Sequence, residues 1–277
     1  MSTTQENNFE FMSAEHCAGV MVLNAVMSDF SYGKHAHEEL AIGIPLEGVQ
    51  EFSCKGSRFR GSPGSLILLN PGDVHNGNPG DNSTLRYTML YLSQKEFYPL
   101  IQCATKSDKS VCRVMENHFT DHVLHSLVLN MSHLVTGANN SALEYEWCLY
   151  EIAKRLTQRM GTFQPDIWAD RKDTLFLKAK EYIYDNIKQG ISIDDLSSVV
   201  HMSKYHFIRL FRSQFGLPPH KFILNHRINR VRAALETGAS PTEVALDFGF
   251  FDVSHMNRHF KKSYGITPKQ YQKQLVK

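Results

Sequence analysis

The stretch "HFIRLFRSQFGLPP" (206–219) decides the fold, because a relative of it returns forty-nine residues later as "HMNRHFKKSYGITP" (255–268). Both copies keep a histidine, a basic residue, an aromatic residue, a glycine and a proline at the same spacing. The aligned pairs are His206 with His255, Arg209 with Arg258, Phe211 with Phe260, Arg212 with Lys261, Phe215 with Tyr264, Gly216 with Gly265 and Pro219 with Pro268. We interpret this repeat as a duplicated helix-turn-helix.

Helix-capping residues surround both copies and predict short helices throughout this part of the chain. Ser192 is expected to begin a helix to about Val200, and Ser203 one that ends at Phe215 before Gly216. Further helices are predicted from Asp173 to Gly190, from Pro219 to Gly238, from the capping box Ser240-Pro241-Thr242-Glu243, and from about Asp252 to Tyr264. A short helix, a tight turn and a longer basic helix therefore occur twice.

Each longer helix has an apolar face and a basic face. Phe207 with Phe211, and Met256 with Phe260, stand four residues apart and are expected to face inward. The basic faces indicate DNA binding, because the ~12 Å major groove accepts a helix and arginine is the commonest reader of guanine. The predicted DNA-binding residues are Lys204, Tyr205, His206, Ile208, Arg209, Arg212, Ser254, His255, Asn257, Arg258, Lys261 and Lys262.

Two roles are expected within this set. Arg209 and Arg258 are the predicted base readers. The lysines and Arg212 are expected to contact phosphates, which fix the position of a protein on the duplex without reading sequence. Two such helices about one helical turn, ~34 Å, apart could enter successive segments of the major groove.

Charge separates the chain into an acidic and a basic part. Residues 171–277 contain 18 Lys and Arg against 9 Asp and Glu, a formal +9, whereas residues 1–170 contain 12 against 19, a formal −7. A basic region of this size attached to an acidic one indicates that only the basic region meets a polyanion such as nucleic acid.

The acidic part begins with strands and ends with helices. From Ala18 to about Leu92, short apolar segments are separated by Gly, Pro, Asn and Asp at intervals typical of a sandwich or small barrel. Apolar residues three and four apart predict helices within 114–135 and 142–160. We therefore expect a strand-and-helix domain over 9–160, a linker over 161–173 and an all-helical domain over 174–277.

The segment "RAALETGASPTEVALDFGFFDVSHMNRHFKKSYGITPKQY" (232–271) resembles the signature of the AraC/XylS family of bacterial transcription regulators. The matching positions are Ala245, Gly249-Phe250, Ser254, Arg258, Phe260-Lys261-Lys262, Gly265, Thr267-Pro268 and Tyr271. The resemblance implies a DNA-binding domain of seven helices with two helix-turn-helix units. His255-Met256, Gln272 and Ser197 depart from the usual residues, so the resemblance transfers DNA binding but no target sequence.

Two segments of the acidic part, "GKHAHEEL" (33–40) and "GSLILLNPGDVH" (64–75), resemble the half-motifs of a cupin barrel. The resemblance implies a cupin-like β-barrel followed by helices, used as an effector-binding domain. The residues expected to line a site for a small polar effector are His35, His37, Glu39, His75, Arg86 and Tyr87. Resemblance to a subgroup with "NPGDVHNG" (70–77) favours an amino acid or a similar nitrogenous metabolite.

A metal site is the alternative for the same histidines. His35, His37 and His75 with Glu38 or Glu39 supply imidazole and carboxylate ligands suited to Fe, Mn, Ni or Zn. We nevertheless expect no metal and no cofactor, because relatives fused to this DNA-binding domain generally use the barrel as a ligand pocket.

The predicted helix near residue 120 has an apolar stripe of Phe119, Val123, Leu127, Met131 and Leu134. In the family this region pairs two protomers, so the 118–135 helix is expected to form a homodimer, with packing inside one chain as the alternative. His118, His122 and His125 share one face of the same predicted helix, which leaves a zinc site as a further alternative.

Other features limit the class of protein. The five cysteines, Cys17, Cys54, Cys103, Cys112 and Cys148, form no C-x-x-C pair, so neither a disulfide framework nor a thiolate zinc site is predicted. The start lacks a signal-peptide pattern, and no apolar run approaches the ~20 residues of a membrane span. We expect a soluble cytoplasmic protein that acts at the bacterial nucleoid and not at a membrane.

The sequence therefore predicts a sequence-specific DNA-binding transcription regulator and not an enzyme. Activation through contact with RNA polymerase is implied by the resemblance alone. The alternatives are a metal-dependent cupin enzyme fused to a DNA-binding domain, and an architectural DNA binder whose barrel only dimerises.

Overall fold

The computed structural model describes residues 6–13, 19–81, 83–106, 113, 115–137, 141–160 and 171–275. Contacts divide the chain into two compact units, with the division between Pro165 and Asp166. Residues 161–170 of the predicted linker, Cys17 and Cys112 lie outside the described residues. Within the described residues, no helix has both the length and the apolar character that crossing a membrane requires.

The first unit begins with strands, and β1 lies before the region in which the sequence predicted them. Their bounds are β1 (Asn8–Met12), β2 (Val20–Met27), β3 (Tyr32–His35), β4 (Leu40–Glu47), β5 (Gln50–Cys54), β6 (Ser57–Gly61), β7 (Leu66–Leu69), β8 (His75–Pro79), β9 (Leu85–Leu92) and β10 (His118–Phe119). They form two antiparallel sheets, in the orders β1-β2-β9-β4-β7-β10 and β3-β8-β5-β6. The expected barrel is thus built as two hydrogen-bonded sheets and not as one closed ladder.

The larger sheet is apolar on both faces, which explains why "LAIGIP" in β4 is buried without interruption. Alternate residues of its strands, such as Val22, Ile42 and Leu90, belong to one cluster with the helices of the unit. The intervening residues face the second sheet, as the hydrogen bond between the Tyr87 and Tyr32 hydroxyls shows. Helices therefore cover one face of the larger sheet, and the other face is left for the residues of the candidate site.

Three helices follow the strands: α1 (Gln94–Thr105), α2 (His122–Thr136) and α3 (Ala142–Met160). The sequence analysis missed α1. It was also wrong about the start of α2, because His118 and Phe119 lie in β10 and pair with Ile67 and Leu66 of β7. Asp121 caps α2 by accepting a hydrogen bond from the Leu124 amide, which fixes the first turn of the helix at that point.

The second unit contains seven helices within residues 171–275, as the resemblance implied. Their bounds are α4 (Arg171–Asp185), α5 (Ile193–Val199), α6 (Lys204–Phe215), α7 (Pro219–Glu236), α8 (Pro241–Asp247), α9 (Val253–Tyr264) and α10 (Pro268–Leu275). The capping boxes at Ser192 and Ser240 are both formed, and Asp252 caps α9. Gly216 and Gly265 end α6 and α9 in the left-handed conformation that favours glycine. The helix predicted to reach Gly190 ends earlier, at Asp185.

Candidate functional site

The helices α6 and α9 are held by the same apolar positions in both copies of the repeat. Phe207, Phe211, Met256 and Phe260 are fully buried. In α6 the aromatic rings form a cluster with Phe176 of α4, whereas in α9 Phe260 contacts Tyr264 and Tyr271. The buried stripe fixes the rotation of each helix about its own axis, so the basic residues lie on the outside.

All twelve predicted DNA-binding residues are exposed or half-buried. Tyr205 is 79% exposed, which leaves its ring available for contact with a base or a phosphate. In the second copy, Ser254, Arg258, Lys261 and Lys262 are exposed, and His255 and Asn257 are half-buried. The two helices therefore present equivalent polar surfaces of the second unit.

Three of the predicted residues of α6 have partners inside the first helix-turn-helix. The Lys204 ammonium lies 2.6 Å from the Asp194 carboxylate of α5. One Arg209 guanidinium nitrogen lies 3.4 Å from Nδ1 of His206, one turn earlier on the same helix. Both contacts are exposed, so phosphate or base acceptors can replace them at small cost.

The sequence analysis missed His259, which pairs with His255 on α9. Their Nε2 atoms lie 3.1 Å apart, so one ring donates a hydrogen bond to the other. Burial lowers the pKa of His259, and the charges of His255, Lys221, Arg258 and Lys262 lower it further. The i, i+4 spacing was the signal that could have identified this pair.

The helix α7 connects the two helix-turn-helix copies, and Arg227 hydrogen-bonds to segments on both sides of it. The guanidinium donates to the Ile187 carbonyl at 3.2 Å, to the Gln189 carbonyl at 2.7 Å and to the Gly249 carbonyl at 3.0 Å. Gly249 lies in the turn of the second copy, and Ile187 and Gln189 follow α4. One side chain therefore links the segment preceding the first copy to the turn of the second.

In the first unit, three of the predicted effector-binding residues meet between the two sheets. The ring centroids of His35 and His75 are 4.3 Å apart, those of His37 and His75 4.9 Å, and those of His35 and His37 6.4 Å. His37 and His75 are buried, and His35 is half-buried. We call these three residues the imidazole cluster.

Every ring of the imidazole cluster is oriented by a backbone carbonyl. Nδ1 of His35 lies 2.8 Å from the Gly33 carbonyl, Nδ1 of His37 2.9 Å from that of Glu39, and Nδ1 of His75 2.8 Å from that of Asp73. A carbonyl oxygen only accepts hydrogen bonds, so Nδ1 carries the proton in each ring. Burial lowers the pKa of His35 to about 4 and that of His75 well below its usual value, so these two rings are neutral at pH 7.

The loop "NPGD" (70–73) positions the imidazole cluster. The Asn70 side chain donates to the Asp73 carboxylate at 2.8 Å, and Lys55 forms an ion pair with the same group at 2.6 Å. Gly72 has a φ of 78°, a conformation that favours glycine, and its amide donates to the His37 carbonyl at 2.8 Å. The motif therefore joins the turn before His75 to the backbone of His37.

Aromatic residues extend the cluster, and the sequence analysis identified only Tyr87 among them. The Tyr32 ring lies 5.7 Å from that of His35, and the Tyr91 ring lies edge-on to His37 at 5.3 Å. The Tyr87 hydroxyl donates to the Tyr32 hydroxyl at 3.1 Å. Burial raises the pKa of Tyr32 and of Tyr87, so both phenols stay protonated at neutral pH.

Arg86 does not lie with the other predicted effector-binding residues, so its place at the mouth of an effector site stays a prediction. The residue is exposed on β9 and forms an ion pair with Glu47 at 3.1 Å. Successive residues of a strand point to opposite faces, so the strand that turns Tyr87 inward turns Arg86 outward. Glu39 is half-buried at the start of β4, where its backbone carbonyl orients His37.

The histidines give no structural support to a metal centre. Among the described residues, no group of three or more His, Cys, Asp or Glu side chains has the geometry to hold a metal ion. The shared helical face on which the zinc alternative of the predicted 118–135 helix depends is not formed, because His118 lies in β10 and not on the helix of His122 and His125.

The predicted dimerisation stripe is divided between the interior and the surface. Phe119, Met131 and Leu134 are buried inside the first unit, so packing within the chain accounts for them. Val123 remains 54% exposed. It lies in a groove of about 530 Å³ lined by His122, Val123, Ser126, Leu127, Asn130 and Trp147, and Trp147 is 55% exposed. We call this surface the α2–α3 groove.

Comparisons with known proteins cover both units. Residues 19–147 match the sequence profile of the AraC-like ligand binding domain, and residues 196–274 match that of a helix-turn-helix domain. The chain is 33% identical over 247 residues to the probable transcriptional regulator LumQ of Photobacterium leiognathi, which covers 88% of this chain and 93% of LumQ. It is 28% identical over 231 residues to the HTH-type transcriptional regulator YbfI of Bacillus subtilis, 81% of each chain.

The fold is also similar to that of a solved structure. Unsaturated fatty acid bound ToxT from Vibrio cholerae matches with a TM-score of 0.62 over 98% of each chain, at 13% sequence identity. At this identity the similarity concerns the fold alone.

Proposed function

The chain belongs to the AraC family of transcriptional regulators, and we propose that it binds promoter DNA through α6 and α9 and responds to a small effector held by the imidazole cluster. The observation that carries the proposal is the repeated presentation of basic and polar side chains on two helices whose other faces are fully buried. Because the proposed target is promoter DNA, the proposed place of action of the protein is the bacterial nucleoid.

Base readout is assigned to Arg209 and Arg258. Both are exposed and occupy the same position of the repeat, and a guanidinium can donate two hydrogen bonds to guanine O6 and N7. Lys204, Arg212, Lys261 and Lys262 lie on the same two helices and supply charge for the phosphates. Tyr205, His206, Ile208, Ser254, His255 and Asn257 complete the proposed surface.

Effector binding is assigned to His35, His37 and His75 together with Tyr87 and Glu39. Buried polar side chains that converge between two sheets are expensive to maintain unless a ligand or the protein satisfies them, which favours a binding role. The bound fatty acid of ToxT is a precedent for a ligand within this fold.

Regulation would follow if the effector binds one arrangement of two protomers more tightly than another. We propose that protomers pair through the α2–α3 groove, whose apolar surface a second copy would cover. In the activator role that the family resemblance favours, the DNA-bound dimer would contact RNA polymerase.

Selection of bound duplexes from a random-sequence pool by the full-length protein tests the DNA-binding proposal. We expect enrichment of a motif with two conserved segments about one helical turn apart, ~10 base pairs. Recovery of duplexes without any sequence preference would contradict base readout by α6 and α9.

The effector proposal is tested separately, with an expression reporter placed behind the selected motif. A metabolite that changes reporter output should lose its effect in the His75→Leu variant, while DNA binding by that variant persists. An unchanged response in His75→Leu would contradict the assignment of the effector to the imidazole cluster.

A further inference from the structure

The imidazole cluster has more hydrogen-bond acceptors than donors. Because Nδ1 of His35 and of His75 donates to a backbone carbonyl, Nε2 of each neutral ring has a lone pair and no hydrogen. In the part of the chain that the structure describes, neither Nε2 atom has a hydrogen-bond partner. Two acceptors therefore lie on rings whose centroids are only 4.3 Å apart.

A further acceptor lies on the same side of the second sheet. Gln50 of β5 is 7% exposed, and its Oε1 atom has no hydrogen-bond partner among the described residues. A β-carbon on Gly77 would lie 3.5 Å from Nε2 of Gln50 and 3.9 Å from the Tyr32 ring, so these side chains face the same space. His75 lies two residues before Gly77 on β8 and points to the same face.

These three acceptors favour a ligand that donates hydrogen bonds. Oε1 of Gln50 is buried without a donor, which costs roughly 1–3 kcal/mol, and a donating ligand recovers this cost. Nε2 of His35 and Nε2 of His75 offer the same ligand two further acceptors. A carboxylate would add acceptors where acceptors are already in excess. Among the described residues, no lysine or arginine forms an ion pair, hydrogen bond or ring contact with His35 or His75, so a carboxylate would also find no cation in contact with these rings.

The distances that each ligand requires further distinguish an amine from a metal ion as the ligand of the imidazole cluster. A metal needs ligand nitrogens at about 2.0–2.1 Å, and the described residues offer no group with that geometry. A hydrogen-bonded ammonium accepts longer distances, about 2.7–3.2 Å, and is attracted by aromatic faces such as those of Tyr32 and Tyr91.

This inference rests on the proposed function: we infer that the effector carries a primary amine. The amine enters as ammonium and donates hydrogen bonds to Nε2 of His35, Nε2 of His75 and Oε1 of Gln50. The Tyr32 and Tyr91 rings lie beside the two ends of the imidazole cluster and stabilise the positive charge. The chemical class is a small alkylamine or an amino compound, and it excludes a ligand recognised through its carboxylate.

The test uses the full-length protein and three probes of matched size: n-butylamine, n-butanol and butyrate. Thermal shift measures binding, because a ligand of the folded state stabilises it. Nitrogen-detected NMR of the histidine rings reports whether Nε2 is unprotonated before the addition and whether its resonance moves on binding. We expect unprotonated Nε2 atoms, a response to butylamine larger than that to butanol, and none to butyrate.

Substitutions of His75 separate hydrogen bonding from shape. His75→Gln keeps an acceptor near the position of Nε2, whereas His75→Leu removes it at similar volume. Butylamine affinity should fall roughly tenfold or more in His75→Leu and less in His75→Gln. Lys34→Ala, which changes an exposed residue next to His35, is the matched control and should bind like the wild type.

Affinity as a function of pH gives an independent readout. Butylamine affinity should be constant from pH 8 to pH 6 and fall as the pH approaches 4, where His35 takes up a proton. A carboxylate would gain affinity over the same range. Binding of butyrate but not butylamine, a stronger effect of Zn²⁺ that His75→Leu abolishes, or no response to butylamine would each overturn the inference. The selection of duplexes by the same protein tests DNA binding separately, so its result does not depend on any of these three outcomes.

Discussion

Arg209 and Arg258 occupy equivalent positions of the repeat, but their surroundings differ. Arg209 contacts His206 on its own helix. Arg258 has no equivalent contact with His255, whose Nε2 is engaged with His259. The two arginines are therefore expected to read different bases, because different neighbours restrict the direction of each guanidinium.

Replacement of either arginine by alanine should reduce specific DNA binding by ~1–3 kcal/mol and relax one position of the selected motif. The physical reason is the loss of a bidentate donor pair to one guanine. Fluorescence anisotropy on the selected duplex and on its single-base variants measures both effects.

Lys262→Ala is the matched comparison on α9. It should weaken binding to all duplexes and reduce the slope of log K against log salt by roughly one unit, because it removes a phosphate contact. Equal losses on specific and random duplex for Arg209→Ala and Arg258→Ala would refute their base-reading role.

At the scale of secondary structure elements, the N-terminus of α2 depends on one carboxylate. Asp121 caps the helix through the Leu124 amide at 3.0 Å and forms an ion pair with Arg155 of α3 at 2.9 Å. Its side chain is only 1% exposed. The residue that separates β10 from α2 therefore also joins α2 to α3.

Asp121→Ala should lower the free energy of unfolding by ~2–4 kcal/mol, because it removes a cap and leaves the partly buried Arg155 without its carboxylate. Asp121→Asn keeps a capping oxygen and should cost less. Urea unfolding measures both, with the exposed Glu144→Ala as the control. Equal losses for the two Asp121 variants would show that the capping hydrogen bond contributes nothing beyond the ion pair.

Low pH should weaken the contacts by which Asp121 joins α2 to α3. Burial raises the pKa of Asp121, but the Leu124 amide, Arg155 and Arg159 outweigh it and hold the pKa below its usual value. A depressed carboxyl pKa stabilises the fold above the unfolded-state value and loses this contribution as the pH falls through the folded-state value. Asp121→Asn should therefore flatten the stability profile below about pH 4.

At the scale of the whole molecule, stability should depend on pH through the imidazole cluster. The pKa of His35 is lowered to about 4 by burial, and that of His75 is also lowered, so the unfolded chain takes up protons that the folded chain does not. Stability is full above the unfolded pKa and falls as the pH drops from about 6.5 towards 4.

In His35→Leu, the loss of unfolding free energy between about pH 6.5 and pH 4 should be about 3 kcal/mol smaller than in the wild type. The measurement is urea unfolding of the first unit followed by Trp147 fluorescence in a Trp168→Phe background. His133→Gln, at an exposed position of α2, is the control and should keep the wild-type profile. If His35→Leu leaves the dependence of stability on pH unchanged, the His35 ring has the same pKa in the folded and the unfolded chain.

Assembly is the second prediction at this scale. Val123→Asp and Trp147→Asp place charge in the α2–α3 groove and should raise the dimer dissociation constant at least roughly tenfold, because a buried unpaired charge is costly at an interface. Sedimentation equilibrium of the full-length protein measures the effect, with Glu146→Ala as the control. A wild-type protein that is monomeric at micromolar concentration would refute pairing through this groove.

The sequence by itself determined the second unit almost completely. Helix caps, the 3.6-residue period and the repeat are local signals, so Ser192, Ser240, Gly216 and Gly265 could be assigned their roles without knowledge of distant residues. The buried faces of α6 and α9 followed from the same period. The signals failed where a contact reached across the chain, as at Arg227, whose carbonyl partners are 22 to 40 residues away.

Only the tertiary structure decided the composition of the imidazole cluster. The His-x-His spacing placed His35 and His37 in one region, but the pairing of β3 with β8 brought His75 opposite His35, and strand pairing is not encoded in either segment alone. Strand pairing likewise placed three further residues beside the imidazole cluster: Tyr32, Tyr91 and Gln50. The alternation of β9 turned Arg86 away from the cluster. The predicted 118–135 helix begins only at His122, because pairing with β7 and the Asp121 cap overrode its periodicity.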